Sequence, residues 1–306
     1  MGDYHTPLDL LWEREITQPL AVSFPQKLPS YQLHATAYRL SYTIPSMLRT
    51  VRATRYVLPL REGGSLPAIV EADDLGLYVV KFRGAGQGIL ALIAELIAGE
   101  IGRALGLRVP ELVFIDIDPA LGRNEPDPEI RQLLRSSDGL NIALDYLPGS
   151  TMFDPAARDA APSPEASLLV WFDTFVLNVD RTPRNANLLV WHRKLYPIDH
   201  GAALFFHHNW PARESKIESP FMEIEHHILL PWANEIEEAA RVARSRLTPP
   251  LLANIVRQVP DAWLASIPDG MAPAELRAGY VDFLVRRLAA APIFEEEAIR
   301  ARSRLL

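Results

Sequence analysis

The stretch NVDRTPRNANLLVWHRKLYPIDHG, residues 178–201, decides the fold and the chemistry that we expect of this chain. Asp180 precedes Asn185 by five positions, and Asp199 follows two short apolar runs and stands just before a glycine. If the two runs pair as a ribbon, both carboxylates and the amide meet at one point. Such a set suits phosphoryl transfer, with Asp180 as base or hydroxyl-orienting group and Asn185 and Asp199 as magnesium ligands.

The first half of the chain contains a second series of features in the order found in kinases. Gly63, Gly64 and Ser65 interrupt two strand-like runs, Lys81 ends a third, and a helical pattern with acidic residues follows. These features match a phosphate-covering loop, a phosphate-pairing lysine and a helix carboxylate. The alternatives are turns that Asp180 makes with its own backbone and a strand lysine that points to solvent.

Apolar periodicity predicts a β-rich first half and a helical second half. Strands are predicted at 51–57, 68–72, 77–82, 112–117, 140–146, 188–191 and 195–198. Helices are predicted at 89–106, 165–178, 222–230, 233–246, 249–258 and 272–290, followed by a charged helical tail. A polar, proline-bearing insertion is predicted around 118–138. We therefore expect an α+β fold of two lobes with a cleft between them, a β-rich N-lobe with one long helix at 47–147 and a mainly helical C-lobe at 148–306.

The first 46 residues carry five prolines and no sustained period. Each proline removes a backbone donor and biases its predecessor away from helix. We interpret residues 1–46 as a loosely attached N-terminal extension, and a strand or arm that packs on the domain is the alternative.

Two glutamates in the long helical pattern compete as the partner of Lys81. Glu100 falls near the centre of the apolar stripe, whereas Glu95 lies on its flank. A buried Glu100 would need a partner, and Lys81 could supply it. The helical pattern by itself leaves both residues open.

Composition excludes several classes of function. The chain has 306 residues, 31 basic and 38 acidic, so its net charge of -7 lacks the basic footprint of a protein that wraps nucleic acid. The absence of cysteine excludes disulfides, thiolate metal sites and a cysteine nucleophile, and it fits a reducing cytoplasm. No apolar run reaches eighteen residues, and the N-terminus lacks the pattern of a signal peptide. We therefore expect a cytoplasmic protein that does not bind membranes.

The histidines offer a competing site. His200, the pairs at 207–208 and 226–227, and the nearby Glu223 and Glu225 could supply ligands for a transition metal. Their spacing matches no established metal signature, and adjacent histidines on one element point in different directions. Helix ends and aromatic packing are the alternative roles.

Residues 51–295 resemble the HipA-like kinases, within them the short branch that lacks the N-terminal subdomain of the full-length toxins. The resemblance rests on EGGSLP at 62–67, VKF at 80–82, the segment from Ala94 through Glu111, DYLPG at 145–149, and the aspartates and asparagine of the opening stretch. It implies a protein-kinase-like fold, ATP and Mg²⁺ as cofactors, and Glu95 as the helix glutamate. It also implies that backbone groups of Asp145, Tyr146 and Leu147 meet the adenine at a hinge between the lobes.

Two departures from the toxin-type pattern limit what the resemblance implies. Toxin-type members commonly carry histidine two residues after the catalytic aspartate, where this chain has Thr182. The missing subdomain removes support for an antitoxin partner, and the acceptor is not carried over. We expect an ATP-dependent kinase that acts on a serine or threonine of a protein. A small-molecule kinase of the aminoglycoside or sugar type and a nucleotide-binding pseudokinase are the alternatives.

Overall fold

A computed structural model describes residues 47–60, 66–86, 88–123, 125–157, 159–267 and 270–305. The predicted extension at 1–46 and the predicted phosphate-covering residues Gly63, Gly64 and Ser65 lie outside this part. The strands of the described part are β1 (Thr50–Pro59), β2 (Ala68–Ala72), β3 (Leu77–Lys81), β4 (Leu112–Ile117), β5 (Gly139–Asp145), β6 (Thr151–Met152), β7 (Leu188–Trp191) and β8 (Lys194–Pro197). The helices are α1 (Gly88–Ala104), α2 (Pro128–Ser136), α3 (Ser163–Val176), α4 (Glu214–Ile217), α5 (Ile236–Arg246), α6 (Pro249–Arg257), α7 (Asp261–Leu264), α8 (Pro273–Ala289) and α9 (Ala291–Ser303).

The first five strands close into a barrel in the order β1-β2-β3-β5-β4. Neighbouring strands are antiparallel except β1 and β4, which pair in parallel with Val51 opposite Ile115. Alternate apolar side chains, among them Val70, Val80 and Val113, fill the interior and are fully buried. The β-rich first half is confirmed as part of an α+β fold, and the closure of its sheet is a feature that periodicity did not predict.

Helix α1 packs on the outside of the barrel against β4 and β5 and also contacts α6. All eleven residues from Leu92 to Gly102 are buried, so the helix has no solvent-facing stripe in this segment. After α1 the chain makes a Schellman turn at Gly106, the predicted stop: Gly106 has φ 85°, and the N–H of Leu107 donates to the carbonyl of Gly102 at 3.0 Å.

The second half contains a small sheet, β6-β7-β8, and helices packed around α3, which contacts α5, α8 and α9. The apolar side chains of α1 and of these helices belong to one hydrophobic core. All described residues lie in one compact unit, Ser41–Leu306. Within the described residues, no helix is both long and apolar enough to cross a membrane.

Two predicted elements differ from the structure. The predicted helix at 222–230 is replaced by 3₁₀ turns at Met222–His226 and Leu230–Trp232, because His227 between them adopts an extended backbone with φ −67° and ψ 128°. The predicted polar insertion contains α2, whose N-terminus is capped by the Asp127 side chain accepting from the N–H of Glu129 at 2.9 Å.

Candidate active site

Lys81 ends β3 and holds two carboxylates together. Its Nζ lies 3.7 Å from Oε2 of Glu95 and forms a shorter ion pair with Oδ1 of Asp199. Burial alone would lower the pKa of Lys81, but these two carboxylates raise it above its ordinary value. The ammonium group is therefore charged and positioned between helix α1 and the segment after β8.

The structure distinguishes between the two candidate glutamates of α1. Glu95 contacts Lys81. Oε1 of Glu100 instead lies 3.4 Å from Nε of Arg103, which is three residues later on the same helix. Burial raises the pKa of Glu100. Glu100 therefore lies among the apolar residues of α1 because it is buried there with Arg103 as its partner, and it does not contact Lys81.

Glu95 is bound from a second side by His200. The backbone N–H of His200 donates to Oε2 at 2.8 Å, and the ring Nδ1 lies 3.3 Å from Oε1. Burial would raise the pKa of Glu95, but the charge of Lys81 and the bonds from His200 lower it to about 2. A charged carboxylate inside the core therefore connects Lys81 to the residue that follows Asp199.

The loop that carries Asp180 begins where α3 is forced to end. Leu177 adopts a left-handed backbone with φ 55°, and the N–H of Asn178 donates to the carbonyl of Asp173 at 2.9 Å. The side chain of Asn178 then accepts from the N–H of Asp180 at 3.2 Å. These bonds turn the chain out of the helix and fix the backbone of Asp180.

Two amides hold the Asp180 carboxylate. Asn185 donates to Oδ2 at 2.7 Å and Asn187 to the same oxygen at 3.4 Å, while Thr182 and Asn185 exchange backbone hydrogen bonds across a tight turn. Burial raises the pKa of Asp180, and the nearby charge of Asp199 raises it further. The structure thus brings Asp180, Asn185 and Asp199 together as the opening stretch predicts.

The β7-β8 hairpin joins the loop to Asp199. The N–H of Ile198 donates to the carbonyl of Asn187 at 3.0 Å, and Asp199 itself adopts a left-handed backbone with φ 54°. Because Asn185 uses its amide nitrogen on Asp180, its amide oxygen is the atom left for a cation. One carboxylate and one amide oxygen, completed by phosphates and water, are the donor set that Mg²⁺ prefers, so these residues fit the ion.

The predicted hinge residues begin at Asp145, the last residue of β5. The backbone N–H groups of Asp145 and Tyr146 donate to the carbonyls of Glu111 at 2.8 Å and Leu77 at 2.9 Å. Both groups are therefore engaged within the barrel. Among the described residues, no backbone carbonyl accepts from the N–H of Leu147, the third predicted hinge residue.

Sequence reasoning missed a group of buried polar residues behind the catalytic loop. Arg181 and His227 both contact the Asp173 carboxylate, and each of the three residues is at most 5% exposed. A signal for Asp173 was present, because it is the lone charged residue in the apolar run LLVWFDTFV at 168–176 and a buried charge requires a partner.

The histidines are dispersed among separate partners. His200 contacts Glu95, His207 lies 3.1 Å from the Tyr280 hydroxyl, and His227 lies 2.9 Å from Asp173. Across the part of the chain that the structure describes, no group of three His, Asp or Glu side chains converges to hold an ion. The alternative of a transition-metal site has no geometric support in these residues.

Comparison with known proteins identifies the family of the chain. A family model described as HipA-like kinase matches residues 55–296. The Helicobacter pylori proinflammatory kinase CtkA is 13% identical, with a TM-score of 0.47 over 82% of this chain and 98% of that chain. A Golgi casein kinase with Mn/ADP bound is 12% identical, with a TM-score of 0.41 over 83% of this chain and 74% of that chain. No curated protein matches the chain. Because the family model spans most of the sequence, the chain belongs to the HipA-like kinases and is a kinase.

Proposed function

We propose that the chain transfers the γ-phosphate of ATP to a serine or threonine hydroxyl of a protein, with Mg²⁺ as the cofactor. The observation that carries the proposal is the joint placement of Lys81, Glu95 and Asp199 in one set of ion pairs, with Asp180 close enough to Asp199 for its pKa to respond. In this proposal the barrel and α1 form the nucleotide-binding N-lobe of a protein-kinase-like fold, and residues 148–306 form the C-lobe.

Lys81 binds the α- and β-phosphates in this proposal, and Glu95 holds its ammonium group in place. Asp199 and the amide oxygen of Asn185 hold Mg²⁺, which neutralises phosphate charge when bound. Gly63, Gly64 and Ser65 remain the predicted cover of the phosphates. Lys81 already lies against Asp199, so the lysine and the metal ligand converge on the same place.

Asp180 orients the acceptor hydroxyl and receives its proton. Its Oδ2 accepts from the amides of Asn185 and Asn187, which leaves Oδ1 to accept from the incoming hydroxyl. The raised pKa, caused by burial and by Asp199, makes this carboxylate a stronger base than an exposed aspartate. The proton therefore moves to Oδ1 as the acceptor oxygen bonds to the γ-phosphorus and the bond from that phosphorus to the β,γ-bridging oxygen breaks, which releases ADP.

The aminoglycoside alternative would place acidic residues such as Glu218, Glu223 and Glu225 in the floor of its cleft. All three are exposed and none lines the cavity beside Lys81 and Asp199, which supports a protein acceptor. A pseudokinase is disfavoured because each described position carries a competent side chain in contact with its partner.

The test is incubation of the protein with γ-labelled ATP and cell lysate, comparing wild type with Asp180→Ala and with Asp282→Ala on the exposed surface of α8. We expect label on polypeptides with wild type and Asp282→Ala, and none above background with Asp180→Ala. Label on small molecules alone would favour the aminoglycoside or sugar alternative. No label, together with no rise in melting temperature on adding Mg-ATP, would contradict the proposal.

A further inference from the structure

Asp173, Arg181 and His227 form a buried charged unit directly behind the loop that carries Asp180. We propose that this unit is a positioning device for phosphoryl transfer, which fixes Asp180 relative to Asp199 without touching nucleotide or acceptor. The inference rests on the proposed function and assigns residues to it beyond those that contact substrates.

The Asp173 carboxylate is the centre of the unit. Its Oδ2 accepts from Nε of Arg181 at 2.5 Å and lies 2.9 Å from Nε2 of His227, and its Oδ1 accepts from the Asn178 amide at 2.8 Å. Burial would raise the pKa of Asp173, but the Arg181 charge and the His227 bond hold it well below its usual range. One residue of α3 thus fixes two positions of the catalytic loop and one segment beyond the hairpin.

Arg181 connects this carboxylate to both ends of the hairpin. Its Nη1 donates to the carbonyl of Asn187 and, at 3.3 Å, to the carbonyl of Ile198. Asn187 donates to Asp180, and Ile198 immediately precedes Asp199. A displacement of the guanidinium would therefore shift both carboxylates of the site at once.

His227 completes the unit as a neutral donor. Its Nδ1 accepts from the N–H of Leu229 at 3.0 Å, so the ring proton is on Nε2 and points to Asp173. Burial lowers the pKa of His227, in keeping with a neutral ring. The backbone is anchored as well, because the N–H of Ile228 donates to the carbonyl of Arg181 at 3.1 Å.

Stability alone is a weak reason for such a unit. A buried ion pair often stabilises a protein no better than apolar residues of the same volume, because both charges lose their hydration. The pair instead fixes the geometry of the loop. The planar guanidinium of Arg181 can donate to the two carbonyls and the carboxylate around it in only a few arrangements. Small displacements of reacting groups cost large factors in rate.

The contacts separate catalysis from nucleotide binding. Lys81, which pairs with Glu95, contacts Asp199 from the side of α1, and neither of these residues contacts Asp173. Loss of His227 should therefore slow phosphoryl transfer much more than it weakens Mg-ATP binding.

The experiment compares His227→Leu, which removes the donor, with His227→Gln, which keeps an N–H directed at Asp173. The matched control is His207→Leu, because His207 is also 5% exposed but contacts Tyr280. For each protein, kcat is measured at saturating Mg-ATP from label transfer, Kd for Mg-ATP by calorimetry, and Tm by thermal melting.

We expect His227→Leu to lower kcat by about 10- to 100-fold with little change in Kd, and His227→Gln to recover most of that loss. His207→Leu should lower Tm to a similar degree and leave kcat near the wild-type value. If His227→Leu fails to fold, His227→Asn serves as the second variant. Its amide is one methylene shorter than that of glutamine and should not reach Asp173, so its kcat should be lower than that of His227→Gln.

Two outcomes overturn the inference and can be told apart. If the wild type is active and His227→Leu or His227→Asn leaves kcat unchanged, the unit has only a structural role. A wild type that neither binds Mg-ATP nor transfers label overturns the proposed function, and the positioning role with it.

Discussion

Both carboxylate oxygens of Glu95 are bound by His200, one by its backbone N–H at 2.8 Å and the other by its ring at 3.3 Å. His200 follows Asp199, and Asp199 pairs with Lys81, which itself pairs with Glu95. Helix α1, the end of β3 and the segment after β8 are therefore joined in a closed ring of contacts. The position of each member of this ring depends on the others, so removing one of them should disturb the rest.

Glu95→Gln should weaken Mg-ATP binding by about 10- to 100-fold, because it removes the charge that holds Lys81. The matched control is Glu100→Gln on the same helix, whose carboxylate contacts Arg103. Calorimetric titration with Mg-ATP measures both. Equal losses in the two variants would show that Glu95 has no special role.

Asp199→Ala should abolish magnesium-dependent ATP binding, because it removes the carboxylate ligand and one of the two partners of Lys81. In the wild type, millimolar Mg²⁺ with ATP should raise Tm, and ATP with a chelator should raise it much less. In the variant the two conditions should give the same Tm. A full magnesium-dependent rise in Asp199→Ala would place the metal elsewhere.

Asp180→Asn should lower kcat by about 10²- to 10⁴-fold, because the amide cannot take the proton of the acceptor hydroxyl. Binding of Mg-ATP should change little, since Asp180 is not among the partners of Lys81. Label transfer gives kcat, and calorimetry gives the affinity. Retention of near-wild-type kcat would remove Asp180 from the mechanism.

Asp145 provides a test by pH. Burial and the nearby charge of Glu111 raise its pKa to about 6, so folding favours the protonated form. Its stabilising contribution is present below the unfolded-state pKa and is lost as pH rises through about 6. At pH 7.5 Asp145→Asn should therefore increase the free energy of unfolding by about 1 to 2 kcal/mol, after allowance for solvent screening.

That gain should disappear at pH 4, because wild-type Asp145 is protonated in the folded state there and no buried charge remains for the substitution to remove. Urea unfolding at the two pH values measures the difference, and Asp116→Asn in the neighbouring strand β4 is the control. A gain that is the same at both pH values would show that ionisation of Asp145 is not its cause.

Much of the site could be predicted from sequence because local rules decide it. Alternation identified the barrel strands, and the five-residue spacing from Asp180 to Asn185 forms a tight turn that points both side chains the same way. The hairpin to Asp199 required only two short runs with a turn between them. These features depend on neighbours in the chain.

The rest depends on contacts between distant residues. The position of a residue relative to the apolar stripe could not decide whether Glu95 or Glu100 contacts Lys81. Helix α1 is buried on all sides from Leu92 to Gly102, so a helical wheel shows no solvent-facing side there. His227 reaches Asp173 across 54 positions, and β1 closes the barrel through a parallel pairing with β4. No local pattern contains either relationship.

The burial of α1 has a consequence for how this kinase can be switched. Moving the helix away from Lys81 would bring apolar side chains such as Leu92, Ile93 and Leu96 out of the common core. Exposing three such side chains costs about 5 to 9 kcal/mol, which is comparable with the whole stability of a domain. Swinging this helix outward far enough to expose these side chains would therefore cost much of the stability of the fold.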